Sequence, residues 1–257
     1  MEKHQVAWTP RVAGSLAKLA ERLGLLHRTA ISYFQSDQYL RHNARRLEHL
    51  ASLGIAVRER RVLEVGAGIG DHSHYYLDRG CRVTITEGRR ESLGLLARRY
   101  PTAKVQFLDM EHPSPLADAP FDIVHCYGLL YHLENPEQAL RFMSESCRQL
   151  LLLETCVSFG DAKSINITEE PHWNPTQALS GRGCRPTRPW LFERLRSLFP
   201  YVYLPKTQPN HEEFPVDWTA PQQHRNPLAR AVFVASREEI RNEQLSSCLL
   251  DHQARHA

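Results

Sequence analysis

The sequence predicts an α/β fold: a doubly wound, mainly parallel sheet with helices on both faces, preceded by a helical N-terminal extension. Three observations carry this. From Arg61 onward, short β-rich runs alternate with helical segments, the pattern of βαβ units. The first of those runs passes directly into a glycine-rich loop, VLEVGAGIGDH at 62–72. Before residue 55 the apolar period is helical throughout.

In chain order, Val12, Leu16, Leu19, Leu23 and Leu26 recur at spacings of four, three, four and three, an apolar stripe on one helix. Leu40, Ala44, Leu47 and Ala51 repeat it after the cap signal Ser36-Asp37, with Gly54 as a stop. RVLEV, CRVTIT, KVQFLD, FDIVHC and QLLLLE then read as five strands up to residue 154. Between them GDHSHYYLDRG, ESLGLLARRY and PEQALRFMSESC read as helices. Residues 155–186 show no period, and a long aperiodic stretch within a domain usually covers a site. RPWLFERLRSLF is a capped helix, and YVYLP and ARAVFVAS are the last strand candidates. Residues 1–55 are thus a helical extension on the substrate side, and 56–257 one domain with a substrate-covering insertion at about 155–230.

Composition narrows the function classes. The chain is 42% hydrophobic and 24% charged, ordinary for a globular protein, and its net charge of +3 is dispersed without a basic run. That gives little support to a nucleic-acid module. Six cysteines stand at 81, 126, 147, 156, 184 and 248, with no C-x-x-C pair, so free thiols in a reducing, cytoplasmic compartment are expected. The N-terminus has no apolar signal core, and Leu150–Leu153 is too short to span a bilayer.

The glycine loop admits more than one adenine cofactor. Gly66, Gly68 and Gly70 let backbone approach a ligand, but the third glycine falls one residue early for a dinucleotide fingerprint, and Asp71 is unhelpful to a diphosphate. Glu64, at the tip of the first strand, is a carboxylate suited to an ammonium or sulfonium charge. Glu87 ends the next strand in position to accept from ribose hydroxyls, as in nicotinamide enzymes too. Asp109 and Met110 end the third, offering an acceptor for an adenine amine and an apolar neighbour for its ring. All lie at carboxyl strand ends, where open α/β sheets bind ligands.

VLEVGAGIG, TITEG, FLDME and FDIVHCYGLLYHLENPEQAL, in that order over about residues 60–155, resemble the class I S-adenosylmethionine-dependent methyltransferases. The resemblance implies a Rossmann-like class I methyltransferase fold of seven strands, the last antiparallel. It implies S-adenosylmethionine as cofactor, held by the loop at Glu64, Gly66, Ala67 and Gly68, by Glu87 and Gly88, by Asp109 and Met110, and bordered by Tyr127. Tyr39 in the extension is a candidate lid over it.

An alcohol acceptor would require a general base and a carboxylate none. His132, after the fourth strand, is the candidate base, and Tyr131 beside it is placed with it as a candidate catalytic residue. Arg185 and Arg188 would suit an anionic acceptor, and His211 is placed with them as a substrate contact. No metal is expected: His72 and His74 would point about 200° apart on a helix, and the loop His211-Glu212-Glu213 with Asp217 reads as solvated. Thr155-Cys156 lacks the companion Pro-Cys of RNA cytosine-5 enzymes. The expected function is O-methylation of a small molecule, sugar or peptide carboxylate or hydroxyl. The alternatives are a tRNA wobble-uridine methyltransferase, a nicotinamide-dependent dehydrogenase and a non-catalytic S-adenosylmethionine-binding protein.

Overall fold

The computed structural model describes residues 29–171, 174 and 176–256. The stripe from Val12 to Leu26 lies outside them. The extension begins with helix α1 (Ala30–Phe34) and continues in α2 (Asp37–Ser52). Five parallel strands follow: β1 (Arg61–Val65), β2 (Arg82–Glu87), β3 (Lys104–Phe107), β4 (Phe121–Tyr127) and β5 (Cys147–Val157). They are joined through α3 (Ser73–Leu77), α4 (Arg90–Arg99) and α5 (Pro136–Glu145). Beyond them lie β6 (Ile165–Glu169), β7 (Arg182–Pro186), α6 (Arg188–Leu198), β8 (Tyr201–Pro205), β9 (Thr207–Gln208), β10 (Ala229–Ser236), β11 (Leu245–Ser246) and β12 (Ala254–Arg255).

The main sheet has eight strands in the order β11-β8-β10-β5-β4-β1-β2-β3. β10 runs antiparallel to both β5 and β8, as the family resemblance implies for the last strand. The short edge strand β11 is the eighth, one more than expected. The centre is apolar on both faces, with Leu63, Val124, Leu151, Leu152 and Leu153 fully buried, as a parallel sheet covered by helices requires. One core joins α5 and α6 to one face of the sheet, and a second joins α3 and α4 to the other. The strand order reverses between β1 and β4, which puts the crevice for a ligand above their carboxyl ends. Among the described residues no helix is long and apolar enough to cross a membrane.

Two parts of the chain depart from the sequence reading. Residues 155–186 are not structureless: β6 and β7 pair there as an antiparallel ribbon, whose Ile167 stays exposed and so leaves no clean apolar period. In α2, capped by Ser36, the expected stripe is on the wrong side. Leu40, Ala44 and Ala51 are exposed, and the buried face is His42, Asn43, Arg46, His49 and Leu50. Four of these five are polar, each engaged or aimed at the rest of the molecule. Asn43 donates to Asp71 Oδ2 at 3.1 Å, Arg46 to Glu154 Oε2 at 2.8 Å, and His49 Nε2 meets the Thr207 carbonyl at 3.0 Å. The helix docks through hydrogen bonds, so its sequence carries no hydrophobic signature on that side.

Candidate functional site

A cavity of about 240 Å³ opens above the carboxyl ends of β1, β2 and β4. Gly66 and Gly68 form part of its wall with φ of 68° and 61°, a backbone region that favours glycine. A Cβ at Gly66 would come within 2.8 Å of the Leu129 side chain. Glu87 lies behind the loop, its Oε2 accepting from Gly68 N at 2.7 Å and its Oε1 from Arg89 N at 2.8 Å. Burial raises its pKa against the pull of those N–H groups. Each carboxylate oxygen keeps a further lone pair, so a diol can add to this arrangement. Gly88, Asp109 and buried Met110 continue the same wall. Tyr39 reaches it from α2, tilted against Phe34 at 4.8 Å between ring centroids. Tyr127 also lines it, and its buried hydroxyl has no partner within the protein. A glycine cradle, a diol-ready carboxylate and an unpaired hydroxyl fit S-adenosylmethionine.

Glu64 and Ala67 lie elsewhere, on a smaller polar cleft shared with Arg46, Asp71 and His72. Glu64 is fully enclosed, accepts from the Ser73 hydroxyl, and burial pushes its carboxyl up to about 8. It is thus not the free carboxylate that the sequence reading aimed at a ligand's charge.

The opposite wall holds the acid-base chemistry. The short 3-10 turn Leu130–His132 brings Tyr131 and His132 to the cavity. His132 Nδ1 lies 2.6 Å from Glu170 Oε2, so it donates there and Nε2 is left with the lone pair. Burial lowers the histidine's pKa although Glu170 pulls the other way, keeping the ring neutral near pH 7. Burial works to raise Glu170, but the hydrogen bonds from His132, Ala178 N and Arg185 hold it below the usual carboxylate value. The Tyr131 hydroxyl accepts from Arg230 at 3.2 Å.

Behind this wall runs a chain of buried ions. Glu154, fully buried in β5, takes Arg46 at 2.8 Å and Arg230 at 3.0 Å, and Arg230 Nε reaches Glu213 at 2.5 Å. Arg185 lines the cavity, but its donors go to the carbonyls of Tyr131 and Cys184 and to Glu170. Arg188 does not line it: its guanidinium stacks 3.9 Å from the Trp218 ring centroid and donates to the Leu250 carbonyl. Burial there lowers it to about 9. The expected arginine pair at the mouth is therefore not assembled. His211 is buried behind the wall, 4.7 Å from His42 between ring centroids, instead of on a solvated loop. Glu170, Glu154, Arg230 and His42 were missed, the polar period on α2 being the one signal available for any of them, and Glu213, read as part of a solvated loop, lines the cavity instead. His72 and His74 diverge as expected, His72 being buried against His125 at 3.0 Å and His74 exposed.

Residues 63–149 match the family described as methyltransferase domain. The chain is similar to the N-terminal domain of EvdMO1, crystallised in the presence of SAH and D-fucose, with 22% identity, a TM-score of 0.58, and 76% and 82% of the two chains covered. It is similar to a 1,6-didemethyltoxoflavin-N1-methyltransferase from Burkholderia thailandensis with bound 1,6-didemethyltoxoflavin and S-adenosylhomocysteine, with 21% identity, a TM-score of 0.50, and 93% and 94% covered. A third neighbour is an S-adenosylmethionine-dependent methyltransferase from Mesorhizobium loti, at 13% identity and a TM-score of 0.55, with 77% and 100% covered. A comparison with curated proteins returned no match. The family match spans the glycine loop through β4, the sheet order is wound around it, and these neighbours share that fold.

Proposed function

We propose that the protein methylates a hydroxyl oxygen of a small neutral acceptor such as a sugar, with His132 as general base. The observation that carries this is the His132–Glu170 pair, 2.6 Å apart, whose histidine lines the same cavity as the glycine loop. An alcohol holds its proton at neutral pH, so transfer to it needs a base, and a neutral imidazole oriented by a buried carboxylate suits that task.

The bound cofactor supplies an electrophilic methyl group on sulfur. Glu87 would hold its ribose hydroxyls, Asp109 and Met110 its adenine, and Gly66, Gly68 and Gly88 the close approach between them. Tyr39 and Tyr127 would border its amino-acid end. His132 Nε2 would take up the acceptor's hydroxyl proton, while Nδ1–H stays hydrogen-bonded to Glu170. Positioning of the two reactants supplies much of the remaining acceleration, up to about 7–11 kcal/mol in well-aligned systems.

Charge pairing argues for a neutral acceptor over a carboxylate. The acidic groups Glu154, Glu170 and Glu213 and the guanidiniums Arg46, Arg185 and Arg230 offset one another at the acceptor wall. An anion would have to break one of these pairs, and breaking a buried pair costs about 3–5 kcal/mol. D-fucose in the EvdMO1 neighbour's crystals lends support to a sugar. On the same reading, α1, α2 and the 155–230 region close over the acceptor, and six unpaired thiols favour a cytoplasmic setting.

The test is transfer of labelled methyl from S-adenosylmethionine into host extracts separated into RNA, peptide and small-molecule pools. Label in hydroxyl-bearing small molecules is the expected result. Label confined to RNA would overturn the reading in favour of a tRNA methyltransferase.

A further inference from the structure

His42, His211 and Glu213 form a cluster that the reaction above does not use. His42 and Glu213 line the cavity, and His211 backs them from the adjoining loop. The two histidines are 5% and 3% exposed, and the Nε2 atoms of both are buried with no hydrogen-bond partner. A buried polar atom left unpaired is costly, and two such atoms in neighbouring rings, with only Glu212 Oε2 at 3.7 Å beyond His211 Nε2, imply something that satisfies them. One ligand atom from each of the three residues lies within 4.8 Å of the others. A point therefore exists within about 2.8 Å of all three, an ordinary hydrogen-bond length.

The tautomers and the existing ion pair decide what belongs there. His42 Nε2 and Glu213 Oε2 are 3.8 Å apart, and Glu213 Oε2 already takes Arg230. His211 Nδ1 accepts from Glu213 N at 3.3 Å, so the ring's proton is on Nε2, which can donate but not ligate. Burial lowers the pKa of both rings, so neither is a cation that would repel a donor hydroxyl. With His42 protonated on Nε2, the three groups offer two donors and one acceptor. That set complements an alcohol oxygen, which has two lone pairs and one hydrogen.

We infer that His42, His211 and Glu213 form a hydroxyl-recognition subsite that grips a second, non-reacting hydroxyl of the acceptor, and thus that the acceptor is a polyol. This rests on the proposed hydroxyl methylation and extends it by naming what the far wall reads. The three residues are specificity determinants, since none of them touches the reacting oxygen.

The experiment is calorimetric titration of D-fucose and each of its monodeoxy analogues into protein saturated with S-adenosylhomocysteine, for the wild type, His211→Phe and His42→Phe. Binding of S-adenosylhomocysteine, measured first on each sample, tests the cofactor site separately: its absence in the wild type overturns the reading of the whole site. The expected result is wild-type binding of D-fucose weakened three- to tenfold by removal of one hydroxyl, and weakened comparably by either Phe variant. In the variants that same deoxy analogue should bind no worse than D-fucose, because the partner of the missing hydroxyl is gone. Phe variants that bind every analogue as the wild type does would overturn the subsite, as would no measurable binding of any of these sugars. A stoichiometric metal retained by the purified protein and lost in His211→Phe would overturn it in favour of a cation site.

Discussion

His132 was visible in the sequence and Glu170 was not, and the difference is physical. His132 follows a strand end, where an open sheet exposes side chains to ligand, so its position alone carries meaning. Glu170 lies 38 residues away in the β6–β7 ribbon, and only folding makes it the histidine's partner. Replacing His132 with Ala should lower kcat by about 10²–10⁴-fold, the usual worth of a positioned general base, and leave affinity for S-adenosylhomocysteine unchanged. Steady-state kinetics and calorimetry together check this. The pH dependence follows from the lowered pKa of His132. The active form is the neutral ring, so kcat/KM should hold through pH 7 and fall only below the ordinary histidine value of 6.5. Glu170 raises that pKa, so Glu170→Gln should move the acid limb to still lower pH while reducing kcat by about tenfold through lost orientation. An unmoved limb would separate His132 from the titration.

At the scale of the element, α2 is where the sequence misled. The helix and both of its ends were legible, from the Ser36 cap to Gly54 in its left-handed conformation. Its orientation was not, because amphipathic reasoning assumes that apolar residues face inward. Here Arg46 reaches Glu154 in β5, and a buried ion pair holds the helix over the site. The two faces should respond oppositely to mutation. Leu40→Ala, at 46% exposure, should change stability by no more than about 0.5 kcal/mol. Leu50→Ala, at 1%, should cost about 2–5 kcal/mol in denaturant melts. The ion chain adds a pH signature. Burial works to raise Glu154, but Arg230 and Arg46 outweigh it, so its folded pKa is below the ordinary 4.5. A carboxylate with a depressed folded pKa stabilises above its unfolded value and loses that contribution as pH falls through the folded one. The wild type should therefore lose stability below about pH 4.5, and Glu154→Gln, already destabilised at pH 7, should show a flatter profile over the same range. Equal slopes would remove Glu154 as the linkage group.

For the whole molecule, the cofactor joins parts that the chain brings together from far apart. The cavity takes walls from α1, α2, the ends of β1, β2 and β4, and the loop before β7. A ligand filling that space binds the folded state alone, so it stabilises every one of those elements at once. With S-adenosylhomocysteine at 100 times its Kd, the gain is about 2.7 kcal/mol. For a domain of this size each kcal/mol moves Tm by about 2–4 °C, so the expected shift is about 5–11 °C. The Glu87 carboxylate is the group that a ribose diol should need most, and charged hydrogen bonds of that kind are each worth about 1.5–3 kcal/mol. Glu87→Ala should therefore abolish most of the shift at the same ligand concentration. NADH at equal concentration should produce none, since the third glycine of the loop falls one residue early for a dinucleotide fingerprint. A dye-based melt of wild type and variant with each ligand distinguishes these outcomes. A shift with NADH and none with S-adenosylhomocysteine would reverse the cofactor assignment, and an equal shift in Glu87→Ala would move the ribose elsewhere in the cavity.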